Sequence, residues 1–396
     1  MSIQKLYILT QTYPDGTGEE TFVGPESLRL EKDFTVVCVP LELRCKNGAA
    51  FLGQNLVAAA RCFFAKSFYR QLAQDFKGGK GAIKRLAYTF FVAQRANRYA
   101  AFLEKNVFVK GESAIVYSYW YNEICLGALW LKRKYPLYKF VTRTHGYDLF
   151  DFRSPSGAQP FKEYMDNKLD RVFFVSNQGK EYYLDRYARA DGEKYEVCYL
   201  GTPQETRPST AIKKELCLVS CSYVIPLKRI EIIIEALALL KDIPVKWVHV
   251  GGGEGLEDMI KTAQKVLCGK DNVSFEFAGH IDNAEYMKRL EKGEFDAFIT
   301  TSKTEGLPVT LMEAQSVGLF SIATAVGGIP EIVTEENGTL LPQDPTPQQA
   351  AQAITDYYRL SQKEKQEKSD KAYNSWKTKF DAGANSDAFA QTLLKL

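Results

Sequence analysis

Short runs of β-branched and aromatic residues recur along the chain, each followed by a longer amphipathic or mixed segment, and few folds satisfy that alternation. In the first half the runs are Leu6–Leu9, Thr35–Val39, Ala114–Tyr117, Phe140–Thr142, Val172–Val175 and Tyr195–Leu200. The second half repeats the order at closer spacing with Leu216–Ser220, Val245–Val250, Ser274–Phe277, Ala297–Thr300 and Phe320–Thr324. Between the first two of these, Arg229–Leu240 sets Ile230, Ile233, Ile234 and Leu237 at helical spacing. Strands separated by helices pair in parallel, so the pattern predicts an α/β chain of two Rossmann-like, doubly wound domains facing across a cleft. A ligand is then expected outside the C-terminal ends of the strands.

The 396 residues suffice for two such domains. The expected division is an N-terminal domain over 1–203, a C-terminal domain over 204–372 and a returning segment over 373–396. Gly201–Pro208, with Pro203 and Pro208, reads as the linker, and the charged run Gln362–Lys371 as a solvated helix. Trp376–Leu396 is amphipathic again and is expected to pack back on the first domain.

Composition excludes several classes. Hydrophobic residues at 45% and charged residues at 25% rule out disordered, collagen-like and coiled-coil chains. No apolar run is long enough to span a bilayer as a helix, and Leu6–Thr10, stopped by Pro14 and Gly16, lacks the length and cleavage site of a signal peptide. Eight cysteines without a Cys-x-x-Cys pair, and three histidines, favour a reducing cytoplasm over a disulfide framework or zinc site.

Charge is unevenly spread. Between Arg61 and Ala100 stand nine Lys/Arg, nine aromatics and a single acid, Asp75, a surplus that exceeds the net +3 of the whole chain. Basic residues interleaved with aromatics suit an anionic membrane surface, a nucleic acid, or helices whose aromatics face a core. A local excess at a pI near 8.2 argues against nucleic acid.

Two segments could carry chemistry. Gly251-Gly252-Gly253-Glu254-Gly255 directly follows the run Val245–Val250, where bare backbone could approach a phosphate. Its spacing is not a full G-x-G-x-x-G, and a plain tight turn reads the same way. More informative is Thr301-Ser302-Lys303-Thr304-Glu305-Gly306-Leu307-Pro308-Val309-Thr310-Leu311-Met312-Glu313. Pro308 suits the first helical position, which places Glu305 in the loop and Glu313 about one and a half turns inside the helix. Carboxylates accept hydrogen bonds from sugar hydroxyls, and a helix start favours phosphate. Alternatively, Glu305 is a surface residue and Glu313 lies on a solvated face.

Glu305 and Glu313, eight positions apart, form an E-x7-E signature within Glu-Gly-Leu-Pro-Val-Thr-Leu-Met-Glu-Ala. That stretch resembles the family-4 retaining glycosyltransferases of the GT-B fold, and among them the bacterial enzymes of polysaccharide biosynthesis. Ala325-Val326-Gly327-Gly328-Ile329-Pro330-Glu331 is similar to the family's next loop, and Pro226-Leu227-Lys228-Arg229 to its basic phosphate loop. Thr144-His145-Gly146-Tyr147-Asp148 is similar to its histidine loop, and Gly16-Thr17-Gly18-Glu19-Glu20 occupies the position of its glycine loop. The match is dense from Leu216 to Val333 and sparser before it.

The resemblance implies a role for each matching residue. Glu313 would bind the ribose of a nucleotide-sugar and Glu305 the donor sugar, with Gly306 and Leu307 meeting sugar and diphosphate. Lys228 and Arg229 would neutralise the departing diphosphate, His145 would touch the donor from the opposite domain, and Gly251 and Gly253 would line the donor site. Gly16 and Gly18 would lie on the acceptor side. Where the family often has an arginine five residues before the lysine, this chain has Tyr223. The activity implied is a retaining, hexosyltransferase-type transfer (EC 2.4) from a nucleoside-diphosphate sugar to a hydroxyl acceptor. No Asp-x-Asp motif occurs, so neither metal nor cofactor is expected. The basic, aromatic segment suits a polyprenyl-linked acceptor, and a cytoplasmic protein peripheral on the inner face of the membrane. A sugar-nucleotide epimerase on the same fold is the alternative, ahead of a non-catalytic nucleotide-sugar binder and, resting on 251–255 alone, a dehydrogenase.

Overall fold

A computed structural model describes residues 4–16, 19–20, 22–45, 66–77, 81–187, 192–203, 206–208 and 213–396. The chain forms two compact units: Met1–Cys198 with Ser386–Leu396, and Tyr199–Asn385.

The first unit holds strands β1 (Gln4–Thr10), β2 (Phe34–Pro40), β3 (Ala114–Ser118), β4 (Tyr138–Thr144), β5 (Arg171–Phe174) and β6 (Tyr195–Val197). They lie in the order β2-β1-β3-β4-β5-β6, all parallel. Side chains alternate between faces along each strand, so the sheet is covered on both sides. Leu6, Ile8, Ile115, Tyr117, Val141 and Phe173 meet Phe389 and Leu393 on one face. Tyr7, Leu9, Val116, Phe140, Val172 and Phe174 meet Val92, Ala96 and Tyr99 on the other. Buried Arg143 ion-pairs with Glu26, and its guanidinium lies 4.2 Å from the Phe389 ring centroid. That contact helps hold the last helix, Ala382–Leu393, on the sheet.

The second unit holds β7 (Leu216–Cys221), β8 (Val245–Val250), β9 (Val273–Gly279), β10 (Ala297–Thr300), β11 (Phe320–Thr324) and β12 (Gly338–Leu341). Their order is β12-β11-β10-β7-β8-β9, again all parallel. In both sheets the first strand is interior and the chain winds outward to either side. The order reverses between β1 and β3 in one sheet and between β7 and β10 in the other, the places where such folds open a crevice for ligands.

Several boundaries differ from the sequence reading. The passage between units falls at Cys198/Tyr199, so the start of the expected linker is fixed to the second unit. There Thr202 N donates to Phe380 O at 3.0 Å, and Trp376 Nε1 donates to Thr202 Oγ1 at 2.8 Å. The charged run opens a helix, Gln362–Lys379, that stays in that unit, and the return to the first comes at Ser386. Strand β12 has too little β-branched character to announce itself. It pairs with β11 through Gly338, where a Cβ would stand 2.3 Å from Ser321 O.

Candidate functional site

At the switch point of the second sheet, the loop after β7 meets the loop after β10. A 3₁₀ turn, Pro226–Lys228, precedes Arg229, whose backbone is left-handed at φ 49°. Thr301 Oγ1 donates to Arg229 O at 2.8 Å, and Lys303 N donates to Leu227 O at 2.8 Å, joining the two loops. This closure brings Lys228 Nζ to 2.5 Å from Glu305 Oε1. The two side chains retain only 21% and 12% exposure, so a charged pair sits at the strand ends, partly screened from water.

Arg229 is tied to the loops around it. Its Nε donates to Thr301 O at 2.7 Å, Nη1 to Asp344 at 2.8 Å, and Nη2 to Ser302 O at 2.9 Å and Gln343 O at 2.7 Å. Four of the five guanidinium donors are committed to the framework. Lys228 therefore provides the cationic group of this loop with the larger freedom to meet an anion. Tyr223, at the position of the expected arginine, is 67% exposed.

Past Glu305, the backbone at Gly306 is held by the loop that follows β11. Gly328 N donates to Gly306 O at 2.7 Å, and Gly327 has φ +56° with no room for a Cβ, which would stand 2.0 Å from Glu305 O. Leu307 is buried. Pro308 is the N-cap rather than the first helical residue, and the helix runs Val309–Ser316. The correction is one position; a residue without an N–H loses nothing at either place. Glu313 is the fifth residue of that helix and buried, and Asn283 Nδ2 donates to its Oε1 at 2.7 Å. It thus lies on a protected face, not a solvated one. Tyr286 and Cys221 lie close enough to Glu313 to feel its charge; burial and that charge both raise their pKa values, the thiol to about 12.

The glycines after β8 have a structural reason to be glycine. A Cβ on Gly251, at φ +138°, would stand 1.9 Å from Ser222 O, and one on Gly253, at φ +143°, 2.9 Å from Val224 O. Val224 N donates to Gly252 O at 2.8 Å, extending the contact of the two loops past the ends of β7 and β8.

In the first unit, the loop after β1 folds around an acid that the sequence reading passed over. Buried Glu19 accepts from the backbone N–H groups of Gln11, Thr12 and Tyr13 at 3.2, 2.6 and 2.9 Å, and from Trp120 Nε1. Successive N–H groups make an anion-binding concavity, and here the chain fills it with its own carboxylate. Gly16 sits where a Cβ would meet Leu43 Cδ1 at 2.9 Å, while Gly18 lies outside the described residues. A glutamate directly after a glycine carries no sequence signal for such a role.

His145 follows β4, with Trp120 and Tyr119 ring centroids at 4.5 and 5.1 Å. Its loop is held by buried Asp148, which accepts from His145 N at 2.7 Å and Tyr121 N at 2.9 Å. Lys162, also buried, donates to the carbonyls of Tyr121 and Asp148. Burial pulls the Lys162 pKa down to about 8, against the opposing pull of Asp148.

A cation–carboxylate pair at one switch point, with a second acid on the adjoining helix, lies inside the segment 202–375 that matches the family described as glycosyl transferases group 1. Over that segment the chain is similar to group 1 glycosyltransferases. The amylovoran biosynthesis glycosyltransferase AmsK of Erwinia amylovora is 31% identical over 184 residues, covering 43% of this chain and 43% of that protein. The chain spans about two fifths of the length of the first curated relatives it matches. Among solved structures, the lipopolysaccharide outer core galactosyltransferase WaaB superposes with a TM-score of 0.68 at 15% identity, over 99% of both chains. Anabaena HepE in complex with UDP gives 0.66 at 17% identity, over 99% of this chain and 100% of that one. These likenesses establish the GT-B fold.

Proposed function

We propose that the chain transfers a glycosyl group from a nucleoside-diphosphate sugar to a hydroxyl acceptor, with retention at the anomeric carbon. The Lys228–Glu305 pair at the switch point carries the reading. A diphosphate arriving there exchanges one anionic partner of Lys228 for another and frees Glu305 to accept from sugar hydroxyls. Glu313, already oriented by Asn283, would take the ribose hydroxyls. The bond from the anomeric carbon to the diphosphate oxygen breaks, its electron pair leaves with the diphosphate, and the acceptor oxygen bonds from the same face. The acceptor proton passes to the departing diphosphate. Positive charge from Lys228 favours that departure, so the step requires no resident metal or cofactor.

The group 1 match and the fold shared with a UDP-bound protein support the donor class. The name of AmsK supports an acceptor in surface polysaccharide biosynthesis, for which a polyprenyl-linked glycan at the cytoplasmic membrane face is the form we favour.

The test is thermal stabilisation and turnover across a panel of nucleotide-sugars, with wild type beside Glu305→Ala and Glu313→Ala. One donor should stabilise the wild type and lose that effect in Glu313→Ala. No stabilisation by any nucleotide-sugar overturns the reading. An epimer formed from donor alone would transfer it to the epimerase.

A further inference from the structure

Two helices of the first unit, Lys66–Lys77 and Ala82–Asn106, pack against each other. Their shared inner side holds the single acid of the basic segment: buried Asp75 accepts from Thr89 Oγ1 at 2.6 Å and Gln71 Nε2 at 2.9 Å. The outer side is different. Phe76 is 74% exposed, Ile83 84% and Phe91 46%, and Arg70 and Lys84 of the same two helices are exposed as well. Ile83, Lys84, Ala87, Phe90 and Phe91 recur at helical spacing on the exposed stripe of the longer helix. Among the described residues of the two helices, no acid shares that side. Glu104 is the only other acid, about 20 Å further along the axis from Phe91 and paired with Lys134.

We propose that this face docks on an anionic lipid bilayer. Large apolar side chains beside lysine and arginine, with the one local carboxylate turned inward, are complementary to a surface of negative headgroups over hydrocarbon. A nucleic acid would be served by the cations but would leave Ile83 and Phe76 in water. The inference extends the proposed transfer to a lipid-linked acceptor and rests on it only for its purpose; the docking itself needs neither donor nor acceptor.

The experiment is co-sedimentation of the full chain with vesicles of phosphatidylglycerol and phosphatidylcholine, against phosphatidylcholine alone. Binding should favour the anionic vesicles and weaken with salt. Arg70→Gln and Lys84→Gln should each reduce it about five-fold. Phe76→Ser combined with Ile83→Ser should reduce it roughly ten-fold or more, with an unchanged far-UV circular dichroism spectrum. No preference for anionic vesicles, unaltered binding by these folded variants, or dimerisation abolished by Phe76→Ser would each overturn the proposal. Loss of vesicle binding with donor stabilisation intact refutes the docking alone; the reverse refutes the transferase reading alone.

Discussion

Lys228 and Glu305 stand 2.5 Å apart although seventy-seven residues separate them, because one follows the innermost strand of its sheet and the other follows the neighbour at which the strand order reverses. Each of the two side chains thus supplies the other's counter-ion.

Breaking the pair from either side should separate two roles. Lys228→Met should lower kcat by about 10²–10³, as expected when a donor aimed at developing charge is removed. Glu305→Gln should act mainly on donor-sugar selectivity. Single-turnover rates of both variants and of the double variant check this. A double variant no slower than Lys228→Met identifies the two as one unit.

Arg229 should prove structural. Arg229→Ala removes donors from the carbonyls of Thr301, Ser302 and Gln343. It should destabilise the fold by on the order of 3 kcal/mol in urea unfolding, with donor affinity falling only in step with the folded fraction. A stable variant with weak donor affinity would return Arg229 to the phosphate site.

Gly327→Ala tests how closely two loops must approach. Its left-handed φ and the contact with Glu305 O mean that the methyl group displaces the Glu305–Gly306 backbone. Donor affinity should fall about ten-fold or more. Isothermal titration with the donor found in the panel measures it.

His249, at the end of β8, is wholly buried beside Trp247 and Phe277, with Ser220 Oγ 2.8 Å from Nδ1. Burial lowers its pKa from 6.5 to about 4. Between those values the unfolded chain binds the extra proton, so its contribution is fully present above pH 6.5 and is lost as pH falls toward 4. Stability should drop by on the order of 3 kcal/mol across that range, and by less in His249→Gln. Unfolding midpoints at stepped pH give the comparison.

What the sequence disclosed and withheld has a physical pattern. Strands such as β8, β10 and β11 are largely buried on both faces, and short, mostly apolar runs gave their bounds to the residue. Glu305 and Glu313 were legible because a strand, a proline and a helix fix their spacing locally. The partner of Glu313 was not: Asn283 comes from a different helix, and only tertiary closure joins them. The same holds for Glu19, whose backbone donors lie six to eight residues upstream. The partners of Arg229 were not legible either, because a cation in a basic loop looks alike in sequence whether it faces a ligand or the three carbonyls it meets here. Gly251 and Gly253 were open to two readings, and the close approach of Ser222 and Val224 accounts for both without a ligand.

The chain leaves its first unit at Cys198 and re-enters it at Ser386, where Phe389 and Leu393 complete a core begun by β1 and β3. The second unit is therefore an insertion in the connectivity of the first, with two seams rather than one. Chimeras built to exchange donor specificity should be cut at both seams. A single crossover near residue 200 would graft a foreign closing helix onto the native sheet and lose the fit of Phe389 to Arg143.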